Sequence, residues 1–238
     1  IPQAQKDLLK ALKATGKPVV VVLFAGRSMA ITEEAAAYPA ILNVWFPGSE
    51  AGYAIGDVLF GDVNPSGKLS ATWPQNVGQV PLFYNHKNTG RPLPAGQWFQ
   101  KFRSNYLDVS NDPLYPFGFG LSYTTFTYGN MKLSSQSLKG NQTLTASIDI
   151  TNNGKVTGKE VVQLYIRDIV GSTTRPVAEL KGFEKIELQP GETKTVSFSI
   201  TPELLKFYNY DLKYDWEAGD FDIMIGSNSK DVQMQRVN

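Results

Sequence analysis

The sequence predicts two structural parts in series, an α/β layer followed by an all-β sandwich. In the first 75 residues, helix-like and strand-like hydrophobic patterns alternate along the chain, as they do in α/β layers. From Asn130 onward, apolar and polar residues alternate with a period of two, which is typical of strands with one buried face. The chain has 238 residues, which is enough for both parts, since a domain commonly holds about 100–200 residues.

The α/β part contains two predicted strands and three predicted helices. Apolar residues of Gln3 to Ala14 recur on one helical face, which indicates an amphipathic helix. Val19 to Phe24 and Ile41 to Trp45 are short apolar runs, typical of strands that are buried on both faces of a parallel sheet. Further helices are predicted at Glu33 to Tyr38 and at Glu50 to Phe60.

The predicted α/β part looks incomplete. Ser49 should N-cap the last helix, and Gly61 should end it. Two strands are too few for a stable doubly wound sheet, so we expect the missing strands upstream or in another chain. The sequence also begins inside a helical pattern and without an initiator Met. We interpret this as a position within a longer protein.

Residues 81–129 form a predicted connecting region. Pro, Gly, Asn and aromatic residues dominate it, and its hydrophobic periodicity is weak. Stretches of this length without clear elements are uncommon in compact domains and are usually functional or connecting. We therefore predict an α/β part over residues 1–80, this connecting region, and a sandwich over residues 130–238.

The sandwich is predicted from four alternating segments separated by turn signals. Apolar residues occupy every second position in Leu144 to Ile150, Val162 to Ile166, Val196 to Ile200 and Phe221 to Ile225. This spacing indicates antiparallel strands in two packed sheets. Because the chain has no cysteine, we predict a fibronectin type III-like sandwich and not a disulfide-bonded immunoglobulin domain.

The composition excludes several classes of function. The net charge is +1, with 10 basic and 8 acidic residues up to Asn130 and 13 basic and 14 acidic residues after it. This balance favours a neutral ligand over nucleic acid or an anionic membrane. The absence of cysteine excludes thiolate nucleophiles. One histidine is too few for a metal site, and no phosphate-loop or dinucleotide motif is present, so we expect no cofactor or metal.

The stretch from Trp45 to Leu69, WFPGSEAGYAIGDVLFGDVNPSGKL, resembles a signature of family 3 glycoside hydrolases. Further matching motifs follow in family order, among them VGQVPLFYNHKNTGRP, PLYPFGFGLSYTTF, GKEVVQLYIRD and EAGDFDIMIGSNS. The resemblance covers nearly the whole chain, and the nearest type within the family is the bacterial periplasmic β-glucosidase. The sequence departs from the family at Ser49 to Gly52, where the family often has two consecutive glycines.

The resemblance implies a hydrolase for terminal, non-reducing β-D-glucosyl residues of β-glucosides or short β-glucans. It implies an N-terminal barrel with the nucleophilic Asp, an α/β domain with the acid/base Glu, and a fibronectin-like domain. The implied mechanism is retaining, with the two carboxyl groups roughly 5 Å apart. Neither catalytic residue maps onto this chain, so we predict that the chain alone is inactive. The resemblance also implies a periplasmic or secreted enzyme.

Two candidate residues lie at the predicted carboxyl ends of the strands, where α/β ligand sites collect. Glu50 is the carboxylate in the signature, but the interpretation that we favour is that it complements the dipole of the helix that it begins. Arg27 could pair with a carboxylate near the active site or form an ion pair between domains. We expect both at the active-site edge, with neither acting as a nucleophile.

Three more candidates, His86, Arg91 and Trp98, belong to the connecting region. Aromatic faces stack on pyranose rings, and charged side chains bind hydroxyl groups, so we consider them for substrate binding. The alternative is that this loop braces the sandwich or reaches a partner subunit in a homodimer. For Pro113 to Phe126 we predict packing where the chain enters the sandwich. We predict a solvated face for Arg167, Arg175 and Lys181.

Two alternative functions remain open. The chain could be a non-catalytic carbohydrate-binding or adhesion module, although its unpaired apolar strands argue against this. It could also belong to an enzyme of the same family that acts on another sugar, such as a β-xylosidase or an N-acetylhexosaminidase.

Overall fold

A computed structural model describes residues 1–94 and 96–238; Ala95, in the predicted connecting region, lies outside the described residues. The helices are α1 (Gln3–Ala14), α2 (Thr32–Ala37), α3 (Ala51–Phe60) and α4 (Pro202–Leu205). The strands are β1 (Val20–Leu23), β2 (Ala40–Asn43), β3 (Phe126–Tyr128), β4 (Lys132–Leu133), β5 (Leu144–Asn152), β6 (Gly158–Asp168), β7 (Glu179–Leu188), β8 (Thr193–Ile200), β9 (Phe207–Tyr208), β10 (Tyr214–Asp215), β11 (Phe221–Gly226) and β12 (Val232–Val237). A 3₁₀ turn spans Val77–Gln79.

The α/β part is built on two parallel strands. β1 pairs with β2 from Val20 opposite Ala40 to Leu23 opposite Asn43. Aliphatic and β-branched residues favour these strands because they fit a pleated, covered surface. In this chain, however, that surface is largely uncovered. Among the residues of β1 and β2 only Val21 is buried, and no residue of α1 or α3 is buried.

Large apolar side chains of this part therefore face solvent. Leu8, Phe24, Phe46 and Phe60 are 59%, 60%, 84% and 87% exposed. We call these four residues the open apolar face. Large apolar side chains that a structural part leaves exposed often mark a surface that another protein part covers. The two-stranded sheet thus agrees with the prediction that this part needs further strands.

The sandwich consists of two antiparallel sheets. One sheet has the strand order β12-β11-β6-β7. In the other, β5 pairs with β8 along one edge and with β3 and β4 in succession along the opposite edge. β9 and β10 form a separate two-stranded ribbon. With the parallel sheet that precedes it, this architecture confirms the predicted fold class.

The main core lies between the two sheets of the sandwich. The alternating residues named from the sequence form it, with Ile148, Ile150, Leu164 and Ile223 at most 1% exposed. Each fully buried side chain of this size contributes about 1.5–3 kcal/mol. The sandwich therefore has a core of its own, in contrast to the open α/β part.

The connecting region packs against the outer face of the β6 sheet. The ring of Tyr84 stacks on Phe117 at a centroid distance of 4.3 Å and meets the edge of Tyr165 at 5.8 Å. The main chain crosses so closely that Gly118 and Gly120 have no room for a side chain: a Cβ at Gly118 would meet Gln163, and one at Gly120 would meet the Gly67 carbonyl. Gly118 also has a φ of 82°, which favours glycine. The predicted packing role of Pro113 to Phe126 is confirmed here.

The predicted solvated face is wrong for Arg175. Its side chain is 13% exposed, lies 3.6 Å from Asp168 and donates to Glu179 at 2.7 Å. The guanidinium also lies over the ring of Phe207, 4.0 Å from the centroid. Burial raises the pKa of Asp168 above its ordinary value, against the opposing effect of Arg175. The alternation pattern missed this cluster because Arg175 lies in a loop between β6 and β7, where period two carries no information.

No helix among the described residues has the length and apolar character needed to cross a membrane.

Candidate functional site

The candidate site lies at the carboxyl edge of the parallel strands. The loops that follow β1 and β2 run side by side there: the Val44 amide donates to the Leu23 carbonyl at 3.0 Å. Gly26 packs so closely on Phe46 that a Cβ at position 26 would lie 2.8 Å from its ring. The structure therefore brings the two loops that carry the sequence candidates to one edge.

Arg27 and Glu50 both lie at this edge with exposed side chains. Neither forms an ion pair with any of the described residues. Both are thus free to face a group outside this chain. The predicted N-cap, Ser49, is wrong: the N-cap residue is Glu50, and its side chain makes no capping hydrogen bond. A carboxylate at the N-cap position lies beside the positive end of the helix dipole, so the structural interpretation of Glu50 has support here.

A pair of tryptophans behind this edge was missed by the sequence analysis. Trp45, the residue that opens the signature, has a φ of 49°, an unusual conformation for a bulky residue. Its ring packs at 59° against Trp73, with centroids 6.0 Å apart. Trp73 is only 1% exposed. Such backbone strain persists only where the surroundings hold it, and Trp73 provides that support for the turn into the loop.

His86 lies on the loop that braces the sandwich. Its carbonyl accepts from the Val177 amide at 3.0 Å, and Lys87 forms an isolated bridge with Pro176. The imidazole itself is exposed, and its Nδ1 lies 3.3 Å from the Lys87 carbonyl. The main chain at His86 therefore supports the bracing interpretation, while the side chain remains open for a ligand.

Arg91 and Trp98 lie further along the same loop. The Arg91 carbonyl accepts from the Ser104 amide at 2.9 Å, which ties the two sides of the loop together. Trp98 is 54% exposed and lies 6.2 Å from the ring of Phe99. Among the described residues, the side chains of His86, Arg91 and Trp98 share no hydrogen bond or ring contact. The structure does not assemble these three into one pocket within this chain.

The second half of the signature joins the α/β part to the sandwich. Lys68 donates to both carboxylate oxygens of Glu160, at 3.0 and 3.1 Å, and to the Gly120 carbonyl at 3.1 Å. Tyr128 donates to the same carboxylate at 2.8 Å. Burial and the adjacent Glu160 charge both raise the pKa of the Tyr128 phenol, so this hydroxyl stays a hydrogen-bond donor.

Asn64 adds a second set of contacts where the α/β part meets the sandwich, a region that we call the joint. Its amide donates to the Thr157 carbonyl at 2.9 Å, and its oxygen accepts from Ser122 and from the Tyr123 amide, each at 2.8 Å. The sequence did hold a signal for this joint. Glu160 occupies the same alternating phase as Val162 and Leu164, and a charged residue in the inward phase needs a buried partner.

No metal centre is present among the residues that the structure describes: none of their His, Asp and Glu side chains form a group of three that could hold an ion. At the strand edge, the chain exposes one cationic and one carboxylate candidate side chain, Arg27 and Glu50.

The comparison with known families decides the assignment. The model described as the glycosyl hydrolase family 3 C-terminal domain matches residues 1–123, more than half of the chain. The chain belongs to glycoside hydrolase family 3. A second model, of the fibronectin type III-like domain, matches residues 160–229. The resemblance inferred from the signature is confirmed.

Relatives match nearly the whole length of the chain. It is 54% identical over 98% of its residues to the "Periplasmic beta-glucosidase" of Salmonella typhimurium, and 47% identical over 98% to a "Beta-xylosidase" of Formosa agariphila. The crystal structure of a β-glucosidase from Listeria innocua in complex with isofagomine superposes on all of this chain, with a TM-score of 0.93 and 44% identity. The chain spans only 30%, 31% and 33% of these three proteins.

Proposed function

We propose that this chain is the C-terminal part of a retaining, exo-acting β-glucosidase. The intact enzyme would hydrolyse terminal, non-reducing β-D-glucosyl residues of β-glucosides or short β-glucans. The observation that carries the proposal is the family match together with 54% identity, over 98% of this chain, to the Salmonella periplasmic β-glucosidase. The catalytic Asp and Glu would lie in the portion that relatives have in addition, so this chain alone would be inactive.

The open apolar face supports the proposal that this chain is one part of a larger enzyme. Its four large side chains are 59–87% exposed, which is costly for a free surface. In the proposal, the barrel-containing N-terminal part of the same enzyme covers this face and completes the sheet. Residues 1–80 then belong to the α/β domain, residues 81–129 connect, and residues 130–238 form the sandwich. A free-standing binding module would leave the same face uncovered, so we disfavour that alternative.

The candidate residues have proposed roles in substrate recognition. Arg27 and Glu50 would border the active site from the strand edge, where both side chains are exposed. Trp98 would offer its ring to a sugar, with His86 and Arg91 binding hydroxyl groups. The exposure of all three side chains supports this role, whereas the main-chain contacts of His86 support bracing. In a homodimer this loop would be placed to reach the partner subunit.

A β-xylosidase is the second candidate function. The relative from Formosa agariphila that is named a β-xylosidase is 47% identical over 98% of this chain, which is close to the value for the β-glucosidase relative. By the family pattern, residues on the barrel select the sugar, so both activities fit this chain.

We propose a periplasmic or secreted location, which the name of the Salmonella relative supports.

The test is a panel of 4-nitrophenyl glycosides on the full polypeptide encoded by the gene that contains these 238 codons. We expect the β-glucoside to give the highest kcat/KM and proton NMR to show β-glucose as the first product. A higher kcat/KM for the β-xyloside would select the second candidate. Hydrolysis of none of the glycosides would reject both.

A further inference from the structure

We propose that the sandwich binds a small aromatic molecule, the size of one substituted ring, in a cavity at the end of the sandwich remote from the joint. The joint contacts gather where β5 ends and β6 begins, as shown by the hydrogen bonds of Asn152 and Thr157. The cavity lies at the opposite end, where β5 begins at Leu144 and β8 ends at Ile200.

The cavity has the size and lining of an apolar ligand site. Its volume is about 260 Å³, and its walls include Leu144, Ile200, Trp216, Phe221 and Ile223. An apolar cavity of about 150 Å³ holds a benzene molecule, so this one has room for a ring with substituents. Aromatic walls favour an aromatic guest over an alkyl one because rings gain from offset or edge contacts.

The lining is mostly apolar, and its polar side chains are those of Lys139, Glu217 and Asn238. Glu217 is the acidic residue of the wall, and its two carboxylate oxygens already accept from the amide and hydroxyl of Ser172, at 2.7 and 2.5 Å. A buried water usually needs about three hydrogen bonds to polar groups. A guest that covers the apolar part of this lining is favoured, because apolar surface is removed from water.

The walls are fixed before any ligand arrives. The bonds between Glu217 and Ser172 hold the segment Trp216 to Gly219. On the opposite side, the Leu138 amide donates to the Asn238 carbonyl at 2.8 Å, and the Asn238 amide donates to the Gln136 carbonyl at 3.1 Å. A pre-formed cavity binds more tightly than one that has to be opened, because less order is lost on binding.

The test is a titration of the 238-residue chain with p-cresol, followed by NMR of the isoleucine and leucine methyl groups. We expect saturable shifts of the Ile200 and Ile223 methyl groups and none with D-glucose at the same concentration. Ala218 is exposed and lines the cavity, so Ala218→Trp should fill the mouth and weaken binding at least tenfold. Phe183→Trp, on the exposed face of β7, is the control and should bind p-cresol as the wild type does.

Ala218 is exposed and does not belong to the buried core, so the substitution changes the mouth of the cavity and none of the core side chains. If Ala218→Trp disturbs the fold, the smaller Ala218→Leu replaces it, with an expected loss of at least threefold. The absence of saturable shifts in the wild type up to the solubility limit of p-cresol would overturn the proposal. Equal affinity of the wild type and the folded mouth variant would overturn it as well.

Discussion

Lys68 and Glu160 form an ion pair at 3.0 Å that joins the family signature to β6, the longest strand of the sandwich. Their side chains are only 13% and 5% exposed. Tyr128 and the Gly120 carbonyl complete the network. A motif that identifies a hydrolase family thus works, in this chain, as a connection between two structural parts.

Lys68→Met should lower the free energy of unfolding by about 3 kcal/mol, because it leaves the Glu160 carboxylate buried without its cation. The measurement is urea denaturation at pH 7. Lys159→Met is the matched control: Lys159 pairs with Glu187 with both side chains about half exposed, so its loss should cost less than about 1 kcal/mol. Equal losses in the two variants would contradict a buried role for the Lys68 pair.

Gly120→Ala should destabilise the joint by roughly 1–3 kcal/mol, because the new methyl group would meet the Gly67 carbonyl and force the two segments apart. Urea denaturation measures the loss, and amide exchange should show that residues on both sides of the joint lose protection. At Gly90 a Cβ would meet nothing within 4 Å, so Gly90→Ala is the control and should have little effect. An unchanged midpoint for Gly120→Ala would show that the close approach is not required.

The contact between Glu217 and Ser172 should depend on pH. Hydrogen bonds from the Ser172 hydroxyl and amide lower the pKa of the Glu217 carboxyl below its ordinary value. A group with a lowered folded-state pKa contributes stability above its unfolded pKa, and that contribution is lost as the pH falls through the folded value. We therefore expect the Ser172 amide to lose its exchange protection at a pH below 4.5, the ordinary value.

Glu217→Gln provides the comparison for that pH dependence. A glutamine does not titrate, so protection of Ser172 in this variant should be weaker at pH 7 and nearly constant as the pH falls. If the wild type and the glutamine variant show the same pH profile, another group controls the loop.

The open apolar face should make the isolated chain self-associate. We expect sedimentation velocity to show a mass above that of the monomer, 26.3 kDa, at high concentration. Phe60→Asp should weaken the association about tenfold or more, since burying one phenylalanine contributes about 1.5–3 kcal/mol. Phe183→Asp, at an exposed position of the sandwich, should not weaken it. A wild-type chain that stays monomeric at all concentrations would argue that this face needs no partner.

The strands could be predicted because their alternation follows from one-sided burial, as in Leu144 to Ile150. The joint could not be predicted from the sequence, because pairing Lys68 with Glu160 requires contact between residues 92 positions apart. The prediction of Ser49 as the N-cap is wrong for a local reason. The helix starts one residue later than its pattern indicates, and Glu50 takes the capping position. The strained turn at Trp45 depends on Trp73, which no local pattern connects to it.

Among the candidate site residues, too, the placement of some could be predicted and that of others could not. Arg27 and Glu50 were predicted at one edge, because parallel strands bring their carboxyl ends together. The relation among His86, Arg91 and Trp98 depends on a loop without periodicity, and the sequence contains no rule for its path. The part of the site that follows from sheet geometry was predictable, and the part that follows from loop packing was not.

The most direct test of the account compares three proteins in the hydrolysis of 4-nitrophenyl β-D-glucoside. These are the isolated 238-residue chain, the Listeria innocua β-glucosidase without its matching third, and a chimera in which this chain replaces that third. We expect the first two to be inactive and the chimera to be active, because the chain completes the enzyme without supplying its catalytic carboxylates. Hydrolysis by the isolated chain, or by the truncated enzyme as fast as by the chimera, would contradict the account.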